Sequence, residues 1–293
     1  MEELLWDEQP SLRSPALVAA FTGWNDAGDA ASLAVRHMIT ALDARRVAQI
    51  DPELFFEFQA TRPHVELVDG VTRRIVWPAN ELWAASTPAG DVVLLLGTEP
   101  QLRWRTFCGL IAQAVAHLGV RIVVTLGALL ADVPHSRPVS ILGTATDDEA
   151  IRRYELARSR YEGPTGIVGV LHDGIAKVGT PSISLWAAVP AYAPGTPSPK
   201  AALALVQRAA GMIEVPVGTL GLAEAASEYE REVADVVGGD DDLVRYVERL
   251  ESMADSGELD AEHDDRDLDD TVTEATGDQL VEEVERFLRD QGD

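Results

Sequence analysis

The sequence predicts an α/β protein: a three-layer α/β/α sandwich built on a mixed sheet, with a C-terminal helical extension. Three observations predict it. Apolar runs of strand length, among them residues 16–21, 92–96 and 121–126, read as strands covered on both faces. Helix-like segments at 30–42, 102–118 and 147–159 alternate with them, the pattern of helices packed on a sheet. Residues 54–77 break that alternation with short strands and a Val68-Asp69-Gly70-Val71 hairpin signal, so antiparallel strands are expected to join the sheet.

In chain order, strands are expected at 16–21, 46–50, 54–58, 71–77, 92–96, 121–126, 139–142, 166–171 and 184–189. The segment 190–199 holds four prolines and reads as a long surface loop. Pro199 then opens a helix over 199–212, and another is expected over 220–237. Residues 1–237 are assigned to the α/β domain and 238–293 to an acidic, partly disordered tail with one or two helices. Within that tail, 240–253 is amphipathic, with Leu243, Val247 and Leu250 on one stripe. Residues 255–270 are acid-rich and nearly devoid of apolar side chains, and a final helix is expected from Gly277-Asp278 through Leu288.

The 293 residues are 46% hydrophobic, enough for a sizeable core, and the longest apolar runs are far too short to span a bilayer. The acidic opening Met1-Glu2-Glu3 lacks the layout of a signal peptide, and one cysteine excludes an intrachain disulfide framework, so a cytoplasmic location is expected. Cys108 falls on an apolar helix face and reads as a buried core thiol. The net charge of −25 is uneven: residues after Leu222 hold 26 acids and six arginines, a net of −20. Nothing supplies the clustered positive charge that phosphate backbones require, so nucleic acid is not an expected partner.

Three segments follow strand-like runs and open toward helices or rigid turns, where α/β folds place their ligands. The first is Gly23-Trp24-Asn25-Asp26-Ala27-Gly28-Asp29. Its glycines have the spacing of a phosphate-binding loop, but Asp29 stands where that loop needs lysine. Asp26 or Asp29 is then either a helix cap or part of a polar site. The second is Gly97-Thr98-Glu99-Pro100, followed by Arg103-Trp104, where Glu99 suits a helix N-terminus and also lies at a strand's carboxyl end. In the third, residues 127–138, His135 sits between Pro134 and Pro138 beside Ser136 and Arg137, either a loop staple or a proton carrier. Asp26, Glu99 and His135 are therefore the candidate catalytic residues, and Trp24, Asn25, Arg103 and Arg137 the candidate binding residues. No nucleophile elbow, metal-ligand cluster or dinucleotide fingerprint is present, so no cofactor and no metal are expected.

Taken together, Gly23 through Gly28, Glu99-Pro100 with Arg103-Trp104, and Gly127 through Pro138 resemble the PAC2 family, named for a eukaryotic proteasome assembly chaperone. Gly163-Pro164-Thr165-Gly166, Leu171-His172 and Pro181 through Trp186 add to the resemblance, which covers roughly residues 10–235 and is closest to high-GC Gram-positive bacterial members. The resemblance implies a phosphorylase/hydrolase-like sandwich and self-association, with trimers expected. Proteasome-binding chaperones of this kind often end in a hydrophobic-Tyr-any motif. This sequence ends Arg289-Asp290-Gln291-Gly292-Asp293, so that docking mode is not expected. The leading expectation is a homo-oligomeric, chaperone-like interaction protein linked to the proteasome. The alternatives are a hydrolase or transferase using Asp26, Glu99 and His135 around one pocket, or a ligand-sensing module in the same crevice.

Overall fold

A computed structural model describes residues 3–159, 162–193 and 195–258. The elements run β1 (Leu4–Trp6), β2 (Ala16–Thr22), α1 (Ala30–Ala41), β3 (Arg45–Ile50), β4 (His64–Val68), β5 (Thr72–Val76), β6 (Asn80–Ser86), β7 (Asp91–Thr98) and α2 (Trp104–His117). They continue with β8 (Ile122–Ala131), β9 (Ile141–Ala145), α3 (Asp148–Tyr154), β10 (Ala157–Arg158), α4 (Ile167–Ala176), β11 (Ser182–Pro190), α5 (Pro199–Ile213), α6 (Leu220–Gly238) and α7 (Asp241–Ser256). Nine strands form one mixed sheet in the order β1-β3-β6-β7-β2-β8-β11-β9-β10. Its centre, β7-β2-β8-β11, is parallel, whereas β6 and β9 run antiparallel to their inner neighbours.

The central strands are apolar on both faces because both faces are covered. Along β2, Ala16, Val18 and Ala20 pack with α1 and α5, while Leu17, Ala19 and Phe21 face the layer of α2 and α4. This is the two-residue alternation of a strand, with each side chain meeting a helix. On the second face Phe107 meets Phe21 and Phe55 edge-on, at ring-centroid distances of 6.0 and 5.4 Å. Cys108 is buried in the same layer, and desolvation pushes its thiol up to about 12. It is a packing residue, as its helical position implies.

The hairpin exists, but it does not join the large sheet. Strands β4 and β5 pair only with each other, and the antiparallel strands come instead from β1, β3, β6 and β9. Residues 52–54, at the head of an expected strand, form a single helical turn started by Pro52 and capped by Asp51. The apolar run from Gly166 to Leu171 is also helical, because Ile167, Val168, Leu171 and Ile175 fall on one buried helix face. A short apolar run does not by itself distinguish a buried strand from a buried helix. Helix α6 ends at Gly238 and α7 begins at Asp241. The acid-rich stretch beyond residue 258 and the expected final helix lie outside the described residues.

Gly127 on β8 stands directly opposite Trp186 on β11. A Cβ there would lie 2.6 Å from the indole Cε3, so the indole can cover the strand only where that position has no side chain. Gly127→Ala is expected to lose roughly 1–3 kcal/mol of stability through overpacking, read as a lower urea midpoint at unchanged slope.

Candidate functional site

The carboxyl ends of β2, β7, β8 and β11 lie together, and the candidate residues sit on the loops leaving them. The turn after β2 is tied to both neighbouring strands. The Glu99 amide donates to the Thr22 carbonyl at 2.9 Å, and the Ala128 amide donates to the Asn25 carbonyl at 2.9 Å. Asn25 is buried, its Nδ2 donating to the Phe21 carbonyl at 3.3 Å. Gly23 has a φ of +130° and passes so close to Glu99 that a Cβ would lie 3.3 Å from the Glu99 Cβ.

The two candidate carboxylates face different helices. Asp26 Oδ1 accepts from the amides of Ala31 at 2.7 Å and Ser32 at 3.1 Å, closing the N-terminus of α1. Its other oxygen is buried without a hydrogen-bond partner, and desolvation raises its pKa against the opposing pull of these donors. Glu99 does not cap the helix that follows it. Its Oε1 accepts from the Ile167 amide at 2.9 Å and so caps α4 from across the fold. The Trp24 indole is 58% exposed and lies over Gly166, at the same helix start. Arg103 takes a left-handed φ of +54° at the start of α2, and its side chain is exposed.

His135 and Arg137 belong to a different neighbourhood, beneath α7. The His135 imidazole is buried, with Nδ1 2.8 Å from the Tyr192 hydroxyl, and desolvation, followed by the charge of Lys200, lowers its pKa. Arg137 grips Asp255 of α7 with Nε and Nη2, both at 2.8 Å, and Nη1 is 3.4 Å from Glu251. Ser136 donates to Glu251, and Tyr246 donates to Asp132 at 2.7 Å. Met253 and Ala254 pack on Ala131, Val133 and Ala188. Helix α7 is thus fastened over the β8–β9 loop by a charged rim around a small apolar contact. A cavity of about 320 Å³ remains below it, lined among others by His135, Arg137, Ser198, Lys200, Tyr229 and Ala254.

The fold therefore brings His135 and Arg137 to one cavity but leaves Asp26 and Glu99 out of its walls. Among the described residues no hydrogen bond links Asp26, Glu99 and His135 to one another, and no group of His, Cys, Asp or Glu has metal-binding geometry. Among them, too, no helix is long and apolar enough to cross a membrane. Sequence reasoning missed Lys200, Tyr229 and Tyr192, which come from the 190–199 loop, α5 and α6. The only local signal was Lys200, one of two lysines in the chain.

His172, which follows the expected strand 166–171, lies within α4. Its Nδ1 meets the Ser182 hydroxyl at 2.7 Å and its Nε2 the Thr125 hydroxyl at 2.9 Å. Burial lowers its pKa to about 4. The unfolded chain binds this proton first, so the contribution of His172 is intact above about pH 6.5 and is lost as pH falls toward 4. His172→Gln is expected to make the urea midpoint less steep over that interval. Asp26 has the opposite sign. Its raised folded pKa favours the native state at low pH, and that advantage fades as pH rises through the unfolded and then the folded value. Asp26→Asn keeps the acceptor for Ala31 and Ser32, so its stability relative to wild type is expected to improve between pH 3.5 and 7 in paired urea melts.

The PAC2 family profile matches residues 20–237. A crystal structure of a proteasome-assembly chaperone homologue from Mycobacterium tuberculosis is 44% identical, with a TM-score of 0.72 over 79% of this chain and 99% of that one. A PAC2 family protein from Streptomyces avermitilis is 42% identical, with a TM-score of 0.73 over 80% and 99%. An archaeal proteasome activator from Pyrococcus furiosus, 20% identical over 80% and 99% with a TM-score of 0.65, shares the fold. No curated protein matches the sequence. With a profile match across most of its length and two actinobacterial relatives above 40% identity, the chain belongs to the PAC2 family.

Proposed function

We propose that this protein is a homo-oligomeric, chaperone-like interaction protein of the cytoplasm that serves proteasome assembly. The observation that carries the reading is the free β4–β5 hairpin. Val65 and Ile75 are paired across it and Leu67 follows on the same face, at exposures of 61%, 56% and 61%. A lone two-stranded hairpin is marginally stable in water, and a contiguous exposed apolar face marks an interaction surface. Arg74 and Glu66 pair on the opposite face, and Arg73, across from Leu67, borders the exposed apolar patch of Val65, Leu67 and Ile75 that is left for a partner.

The hairpin springs from the functional end of the sheet. Phe58 meets Trp77 edge-on, with ring centroids 4.8 Å apart, and Gln101, just after β7, donates to Thr61 at 2.7 Å. Exposed Trp24 and Leu102 belong to the loops at this end, giving an arm and an apolar landing area on one molecule. Exchange of arms around a closed ring would cover both, as symmetric assembly requires. The proteasome assignment draws on the Mycobacterium tuberculosis relative, described as a proteasome-assembly chaperone homologue. The hydrogen bonds of Asp26 and Glu99 to helix termini favour binding over acid–base chemistry as the work of this end.

Light scattering after size exclusion is expected to give a trimer or other closed oligomer, and Val65→Glu with Ile75→Glu is expected to give a folded monomer. Mixing the wild type with purified proteasome α subunits from a high-GC Gram-positive bacterium is expected to yield a discrete complex on a native gel. A wild type that stays monomeric overturns the assembly, and α subunits that migrate unchanged beside an intact oligomer overturn the proteasome role alone.

A further inference from the structure

The cavity beneath α7 has charged groups in its walls, yet those charges are already committed. The Lys200 ammonium donates to the carbonyls of His135 at 2.5 Å and Arg137 at 2.6 Å and to the Glu230 carboxylate. The Arg137 fork is closed on Asp255, whose own carboxylate forms part of the wall. A phosphate or multiply charged acid entering here would meet cations whose charge is already neutralised by carboxylates, with Asp255 beside it in the wall.

The unspent hydrogen-bonding capacity lies on neutral groups. The Tyr192 hydroxyl accepts from the His135 backbone amide at 2.7 Å and lies 2.8 Å from the ring Nδ1, so one side of the imidazole is held. The other ring nitrogen, Nε2, has no partner among the described residues, and it donates or accepts according to the tautomer. Tyr229, 3% exposed, also lines the cavity, and its hydroxyl makes no hydrogen bond of ordinary geometry; Ser198 is its polar neighbour. A buried hydroxyl with unmet hydrogen-bonding capacity is costly, so this phenol favours a molecule that can pair with it. The rest of the wall is largely apolar, from Val133, Val139, Ala188 and Pro190. Its volume of about 320 Å³ is at the lower end for small-molecule sites, which suits a compact molecule better than a nucleotide.

We propose that this cavity is a binding site for a small uncharged molecule with an apolar body and an amide group, held by His135 Nε2 and the Tyr229 hydroxyl. The ligand's amide has both a donor and an acceptor, so it pairs with the imidazole in either tautomer and with the phenol. Helix α7 forms one wall through Ala254 and Asp255, so the bound molecule also rests on the C-terminal extension. The site is separate from the apolar arm and from Asp26 and Glu99.

The test uses the full chain labelled with ¹⁵N-histidine, and His135→Gln assigns the ring signal. Benzamide is the probe, with benzoate and inorganic phosphate beside it. Benzamide is expected to shift the His135 Nε2 resonance saturably and at least tenfold more tightly than benzoate, with phosphate inert. Tyr229→Phe, which deletes the unpaired hydroxyl, is expected to weaken benzamide about tenfold, and Ala188→Val, which fills the cavity, to abolish the shift. No saturable shift in the wild type overturns the proposal, as does an unaltered affinity in both variants. A preference for benzoate or phosphate overturns the uncharged class.

Discussion

The turn after β2 is hydrogen-bonded on both sides, and the loops at the carboxyl ends of the parallel strands depend on that constraint. Glu99 N–H to the Thr22 carbonyl and Ala128 N–H to the Asn25 carbonyl extend the sheet's pairing past the last residue of the strand. The backbone there cannot drift, so Asp26 meets the start of α1 and Glu99 meets the start of α4. Each carboxylate replaces a partner that a helix N-terminus lacks, a contribution of about 1 kcal/mol apiece. Both helix layers are thereby indexed to the central strands.

That economy shapes the functional reading. A general acid or base must reach the group it protonates, and these carboxylates reach backbone amides instead. Two features elsewhere bear on binding. The β4–β5 hairpin has an apolar face without cover, and the cavity below α7 has a phenol without a partner. One suits a protein surface and the other a small molecule. Both lie at or near the carboxyl ends of the parallel strands, where the connecting loops are free to diversify.

Helix α7 joins the two halves of the chain's charge. The body is close to balanced and the C-terminal part strongly acidic, and Arg137 with Ser136 is where acids of α7 settle on the body. Its buried residues are Val247 and Leu250, a thin apolar contact for a helix of 16 residues. Ion pairs with exposed partners contribute little each, so the helix rests on its apolar contacts with α6 and the β8–β11 surface, with the bidentate pair at Asp255 setting its position.

The sequence alone determined the layered architecture, because strands buried on both faces must be continuous apolar runs and their helices must carry one apolar stripe. Residues 16–21, 30–42, 92–96 and 199–212 announce themselves in that way. It also marked the loops after β2, β7 and β8 through residues out of place in a core: Asn25, Asp26, Glu99 and His135. The tertiary structure decided where those side chains point. Glu99 capping α4, 68 residues away in sequence, and Tyr192 holding the His135 ring from 57 away are long-range pairings with no local signature. The same holds for the apolar run at 166–171, helical because it packs on α2, and for the hairpin, which stands clear of the sheet because β6 takes the place beside β7. Local pattern records which faces must be buried; only packing settles against what.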